Sequence, residues 1–333
     1  MSQPFPFVVE DFEENLRSTP HLPAMIFQHL DPKTLLKARV VSPHWKKFVD
    51  QRTPLWSTMD YMKAASQGRE DICSLIIGNS KEKNPAGVRG LTPLHEAARY
   101  GHLEVCRLII SNLEVKQNPA ANNGWTPLHW AAREGHQEIC SLIISNIEDN
   151  KNPAADAGET PLHLAAERGL QEICSLIIAN IGGNKNPADN DGWTPLALAA
   201  QNDYQEICRL IISHLDDNKN PVGIYGETPL HLAARRGHQE ICSIILSNIE
   251  ENKNPGNDAG NTPLHWGALA APVGTLNNHL EVCRLIIANV DDVNPRNFEG
   301  DTPMDYAIRG HNWEIVQLFR DNGGIAAAPN AWF

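Results

Sequence analysis

The 333-residue sequence is poor in aromatics: Phe, Trp and Tyr together make up 6%. No apolar run reaches the ~18 residues that a membrane-spanning helix needs, so a membrane protein is not expected. Positive charge is in deficit. Lys and Arg number 28 against 40 Asp and Glu, a net charge of −12. An acidic chain lacks the counterion release that drives binding to phosphate backbones, which argues against nucleic acid as a partner. The start, Met1-Ser2-Gln3-Pro4-Phe5-Pro6, has no basic region followed by an apolar stretch, so no secretory leader is expected. No Cys-x-x-Cys pair, Gly-rich phosphate loop or nucleophile elbow occurs. Asp189-Asn190-Asp191-Gly192 starts like a calcium loop, but Pro187 and Leu198 would then occupy the first and last ligand positions, and the match fails. These absences leave a soluble, non-enzymatic protein of cytosol or nucleus, without cofactor or metal, as the expectation.

What is present is a period. The seven cysteines, at 73, 106, 140, 174, 208, 242 and 283, are separated by 33, 34, 34, 34, 34 and 41 residues. A disulfide scaffold is not spaced this way; a repeat is. Each Cys sits in a segment such as Glu-Ile-Cys-Ser-Leu-Ile-Ile, where it reads as a small buried hydrophobe. Stacked helices lie ~8–10 Å apart, beyond the ~7 Å between bridged Cα atoms, so neighbouring thiols should stay reduced. Thr-Pro keeps the same register at Thr92, Thr126, Thr160, Thr194, Thr228, Thr262 and Thr302, with Asn-Pro upstream of each.

The punctuation of one unit dictates its structure. Pro153 holds Asn152 extended. Asp156-Ala157-Gly158 makes a turn. Thr160 is a helix N-cap and Pro161 the first helical residue, where a missing N–H costs nothing. Leu162–Arg168 forms a short helix ended by Gly169, and Leu170–Ile178 a second. Neither reaches the ~12–15 residues needed for independent stability, so the units must stack into a solenoid. Ten of the 14 histidines fall at two repeat positions (95, 129, 163, 231, 265; 102, 136, 238, 279, with 311 within one residue). A catalytic His would occur once, with its own partners.

The pattern resembles the ankyrin repeat. The signature Gly-x-Thr-Pro-Leu-His-x-Ala-Ala-x-x-Gly-His is intact over Gly90–His102, Gly124–His136 and Gly226–His238. The resemblance implies an all-α solenoid with short β-turn fingers over 59–324, made of a degenerate capping helix pair near Asp60–Ser80 followed by seven Thr-Pro units. Residues 325–333 are expected to be a flexible tail. Ala197 and Asp305 replace the signature His, so the side-chain bond made there is expected to be lost. Asp203 and Asn278 replace the helix-ending Gly. Seven extra residues near Ala270–Leu276 read as a surface loop between two helices.

The first sixty residues carry no repeat marker. Residues 1–21 read as an acidic, flexible N-terminus. Residues 22–58 hold three short apolar segments, too few to bury much surface alone. They resemble an F-box through Leu22-Pro23, Leu30-Asp31-Pro32, Leu35-Leu36, Val41-Ser42-Pro43-His44-Trp45 and Leu55-Trp56. The resemblance implies docking on the linker subunit of cullin-RING ubiquitin ligases of the SCF type, through Leu22, Pro23, Ile26, Leu30, Leu35, Leu36, Val41 and Trp45. The alternative is a helical cap that binds nothing. Residues 22–56 hold six basic and two acidic residues, so the repeat region carries the acidity.

In the ankyrin family, partners lie on a concave face built from the turns before Thr-Pro and the ends of the first helices. Here that implies Arg89, Arg99, Tyr100, Trp125, Arg133, Glu134, Arg168, Trp193, Tyr225, Arg235 and Arg236 as target-binding residues. Exposed Trp, Tyr and Arg dominate hot spots; each Trp could equally lie flat and only pack. Trp130 and Trp266 stand where other repeats place Leu and read as core. The function this implies is a substrate-recruiting, monomeric subunit of a ubiquitin ligase. Its rival is an ankyrin scaffold or inhibitor with no ligase link.

Overall fold

The computed structural model describes residues 57–113, 118–148, 150–216, 218–250, 252–269 and 276–327. The eight ligase-docking residues, Leu22 to Trp45, lie outside the described residues, as do Leu55 and Trp56. The elements that follow are helices in pairs. The first pair is α1 (Thr58–Ser66) and α2 (Glu70–Asn79). Next come α3 (Pro93–Arg99) and α4 (Leu103–Ser111), α5 (Pro127–Glu134) and α6 (Gln137–Ser145), and α7 (Pro161–Glu167) and α8 (Gln171–Asn180). The series continues with α9 (Pro195–Gln201) and α10 (Gln205–Ser213), α11 (Pro229–Arg236) and α12 (Gln239–Asn248), α13 (Pro263–Ala268) and α14 (Leu276–Ile287), and α15 (Pro303–Arg309) and α16 (Trp313–Asp321). No strand occurs among the described residues.

Five of the first helices, α3, α5, α7, α11 and α13, start the same way because their free N–H groups are satisfied by fixed residues. In the third repeat, Thr160 N–H donates to His163 Nδ1 at 3.1 Å, with the Thr160 hydroxyl 2.9 Å from the same nitrogen. Pro161 has no N–H to satisfy. Leu162 N–H donates to Asn152 Oδ1 at 3.0 Å. The Asn of Asn-Pro therefore does more than precede a proline: its side chain caps a helix ten residues on. The same bond recurs from Asn84, Asn118, Asn186, Asn220 and Asn254. At the far end Gly135 and Gly237 close α5 and α11 in the left-handed region, at φ 84° and 75°. Asp203 takes that conformation as expected, at φ 63°.

Two rows of helices stack. Odd-numbered helices pack on one another from α1 to α15, and even-numbered helices from α2 to α16. The Ala-Ala pairs of the first row (Ala97-Ala98, Ala131-Ala132, Ala165-Ala166, Ala199-Ala200, Ala233-Ala234) are wholly buried, and only so small a side chain allows such close approach. The second row buries one face of each helix, as with Ile139, Cys140, Ile143 and Ile144 of α6. All seven cysteines are free and wholly buried, one per even-numbered helix from α2 to α14. Burial pushes the thiols up, to about 12 for Cys73, Cys140, Cys174 and Cys208. They behave as hydrophobes, not nucleophiles. Among the described residues, no helix is long and apolar enough to cross a membrane.

Three expectations need correction. Asn278 does not replace a helix-ending Gly: it lies inside α14, which begins at Leu276, so the end of the insertion lengthens the second helix. Residues 270–275 lie outside the described residues. Asp305 does not lose the cap bond: its carboxylate accepts from both Thr302 N–H and Thr302 Oγ1–H at 2.8 Å. The tail does not leave the repeat at 325 either. Ala327 N–H donates to Asp305 Oδ2 at 2.9 Å, Ile325 N–H donates to Asn294 Oδ1 at 2.6 Å, and the Ile325 carbonyl lies 2.9 Å from Thr302 Oγ1. A His at this position reaches into the following repeat. In the last repeat Asp305 holds the chain's own tail instead.

Candidate protein-interaction site

The fingers and the odd-numbered helices form one continuous face, called the inner face below. Two sets of contacts fix its geometry. In each finger a tight turn closes on itself, as where Ala121 N–H meets the Trp125 carbonyl at 2.7 Å. Successive fingers are joined: Asn122 N–H to Arg89 O, Asp156 N–H to Asn123 O, and Asn190 N–H to Ala157 O, at 2.9–3.0 Å. The second set is the histidine column. His95, His129, His163, His231 and His265 each accept at Nδ1 from their own Thr N–H. Each then donates from Nε2 to the carbonyl just before the next repeat's Thr, as His163 does to Trp193 at 3.1 Å. Such a ring must be neutral. Burial lowers the His95, His129 and His231 rings to about 4. The later histidines His102, His136, His238 and His279 form a second column, donating to carbonyls of the preceding unit. These two columns account for nine of the 14 histidines as structural groups.

Two fingers differ from the rest. At Val88–Gly90 and Ile224–Gly226 the chain makes a 3-10 turn, and the tip residues Arg89 and Tyr225 take φ 62° and 55°. Left-handed backbone in a non-glycine residue is uncommon and concentrates at working surfaces. Both side chains are exposed, Tyr225 to 73%.

The expected target-binding residues fall into groups. Arg99, Tyr100, Trp125 and Arg133 come together. The Arg99 guanidinium lies 5.3 Å from the Tyr100 ring, and that of Arg133 lies 5.5 Å from Trp125. Trp125 is half-buried, stacked on His129 at 5.7 Å and tilted against Trp130 at 4.6 Å. It therefore packs on its own helix while keeping an open edge. Arg235 belongs to a second group in α11 and α13. Arg168, Glu134 and Arg236 are exposed beside these groups, Trp193 is half-buried, and neither Trp193 nor Arg168 joins a cluster.

Trp130 and Trp266 correct the core expectation. Both are only half-buried and stand on the inner face. Arg99 covers the Trp130 ring at 4.6 Å, and Arg235 covers Trp266 at 5.1 Å. The Nε1 atoms of both indoles are buried and have no hydrogen-bond partner. Their repeat position holds Glu96 in α3, and a charged residue there was the sequence signal that this position faces outward. Tyr306 extends the second group, edge-on to Trp266 at 6.4 Å under Arg309 at 5.0 Å.

The charge along the face alternates. Between the two basic aromatic groups lies an acidic stretch. Burial, together with Asp189 and Glu167, raises the Glu159 carboxyl above its ordinary value. At the N-terminal end, an open groove of about 630 Å³ lies between α1 and the first finger, with Met59, Met62, Val88 and Leu91 among its lining.

Known families match both parts of the chain. A family model described as F-box-like matches residues 22–62. A second, described as ankyrin repeats in three copies, matches 61–155, 147–222 and 214–273, and a single ankyrin repeat matches 259–298. No curated protein matches the chain. Both families are protein-interaction modules. The stacked helix pairs and the length of the matches agree, and the chain belongs to the ankyrin-repeat family, with an F-box-like segment ahead of its repeats.

Proposed function

We propose that the protein is a substrate-recognition adaptor of an SCF-type cullin-RING ubiquitin ligase. Leu22, Pro23, Ile26, Leu30, Leu35, Leu36, Val41 and Trp45 dock on the linker subunit, and the inner face holds the protein to be modified. One observation carries the reading. The F-box-like match runs to residue 62, inside α1, and α1 is built into the solenoid. Tyr61 is 1% exposed, and its hydroxyl donates to the Lys83 carbonyl at 3.0 Å. The two family matches thus meet at residues 61–62 with no linker between them, which suits an arm that sets a target's distance from the ligase. The target-binding residues are Arg89, Arg99, Tyr100, Trp125, Arg133, Glu134, Arg168, Trp193, Tyr225, Arg235 and Arg236. Acting as a monomer in cytosol or nucleus, the adaptor would need no cofactor.

The test is recovery of the purified linker subunit by the full chain and by Leu30→Asp. The wild type is expected to retain the linker subunit and the variant to lose it. Equal recovery by both would leave an ankyrin scaffold or inhibitor without ligase linkage.

A further inference from the structure

Two arginine–tryptophan pairs occupy the same repeat positions four repeats apart, Arg99 over Trp130 and Arg235 over Trp266. They differ in what the arginine meets. Arg235 is satisfied from within the chain: Nη1 and Nη2 donate to the two carboxylate oxygens of Glu227 at 3.2 and 2.8 Å, and Glu227 is 8% exposed. Arg309, over Tyr306, pairs likewise with Asp301. Glu227 and Asp301 both stand immediately before the Thr of their repeat. In the first two repeats that position holds Leu91 and Trp125.

The consequence is that Arg99 lacks the internal carboxylate that Arg235 has. Among the described residues, Arg99 has no carboxylate within ion-pair distance. Glu96, one helical turn back, feels its charge without bonding to it. Among the described residues, the one carboxylate within ion-pair distance of Arg133 is that of its chain neighbour Glu134, at 3.9 Å, with Glu159 farther off across the finger. Both guanidinium groups lie against the one Trp130 ring, at 4.6 and 5.8 Å.

We infer that the Arg99–Trp130–Arg133 cluster binds an Asp or Glu side chain of a partner polypeptide, which takes the place that Glu227 fills four repeats later. A guanidinium laid on an indole is already oriented, with its donor edge free for a bidentate carboxylate. The chain's own use of a carboxylate at the equivalent position sets the chemistry. The flanking Glu96, Glu134 and Glu159 disfavour the two charges of a phosphate group more than the single charge of a carboxylate, so the contact rests on bidentate geometry at the guanidinium edge. The inference rests on the reading of the inner face as the target-binding surface.

The probe is a peptide drawn from a random twelve-residue display library selected on the full-length protein. Selected peptides are expected to share an Asp or Glu whose replacement by Asn or Gln weakens binding roughly tenfold or more. Leu91→Glu combined with Glu96→Leu copies the fifth repeat into the first. It should supply an internal carboxylate to Arg99 and weaken the peptide by a similar factor, at unchanged melting temperature. Arg99→Gln should weaken it too. A phosphoserine in place of the acid should bind no tighter. Peptides lacking a shared acid, an unaffected double variant, a tighter phosphopeptide or an empty selection would each overturn the carboxylate site. Acid-free peptides that are lost on Trp125→Ala would leave inner-face binding standing; peptides indifferent to every inner-face substitution would remove that reading as well.

Discussion

The junction between the fourth and fifth repeats is built differently from its neighbours. Elsewhere a His in the first helix reaches the carbonyl before the next Thr, and a finger N–H reaches the preceding finger. Here Ala197 replaces the His, and Thr194 Oγ1 caps only the Ala197 N–H, at 3.1 Å. The backbone bonds that join fingers, such as Asp258 N–H to Tyr225 O at 3.0 Å, have no counterpart between Ile224 and the fourth finger. The junction keeps its buried Ala199-Ala200 and Ala233-Ala234 packing and the His238 bond to the Gln201 carbonyl at 3.1 Å. The comparison separates two contributions. Apolar packing with the single His238 bond holds this pair of repeats, and the first histidine column adds a polar, pH-dependent stitch to the others.

Acid should break the comparison most strongly. An unfolded His titrates near 6.5, while His95, His129 and His231 in the folded chain titrate at about 4 because burial disfavours the charged ring. Unfolding therefore takes up protons in this range. The stabilisation is complete above pH ~6.5 and falls as pH drops towards ~4, by about 1.4 kcal/mol per unit for each ring. At pH 5 the loss is about 2 kcal/mol per ring, measurable by urea unfolding. Amide exchange of Thr92, Thr126 and Thr228, whose N–H groups bond these rings, should accelerate. That of Ala197 should hold until the whole array opens. Equal acceleration at all four would contradict the comparison.

A single substitution is expected to do less. His163→Ala removes the acceptor of Thr160 N–H and the donor to the Trp193 carbonyl, and should cost about 2 kcal/mol in urea unfolding at pH 7. Trp125→Ala loses the stacking on His129 and the Arg133 contact and should cost about 1 kcal/mol, while weakening target binding more. The smallest effect sharpens the comparison from the other side. Ala197→His should gain about 1 kcal/mol by restoring a donor to the Glu227 carbonyl. A loss there would mean the junction has no room for the stitch.

Much of this architecture was legible because each repeat restates it. The period, the Thr-Pro cap, the Gly stop and the buried Cys follow from interactions within about ten residues. Most of what escaped lies between repeats. That His163 reaches Trp193 depends on where one unit sits on the next; the Asn152 cap on Leu162 lies within one unit but was hidden because an Asn before Pro reads first as turn chemistry. Trp130 resembled core because the third, fourth and fifth repeats place Leu there. Only the depth of that position, half-open beneath a guanidinium, assigns it to the surface. The Glu227–Arg235 pair, and its absence at Leu91 and Arg99, is likewise a relation between positions that a single repeat does not reveal. Asp305 read as a lost His because its partner, the tail at Ala327, lies beyond the repeat pattern.

The adaptor claim is tested most directly on a sensor surface carrying the ligase linker subunit, over which the full chain and then a selected acidic peptide are passed. The chain is expected to be retained and then to take up the peptide with the affinity of the free protein. Leu30→Asp should abolish retention, and Leu91→Glu with Glu96→Leu should abolish only the uptake. A wild-type chain that washes off the linker surface would contradict the account.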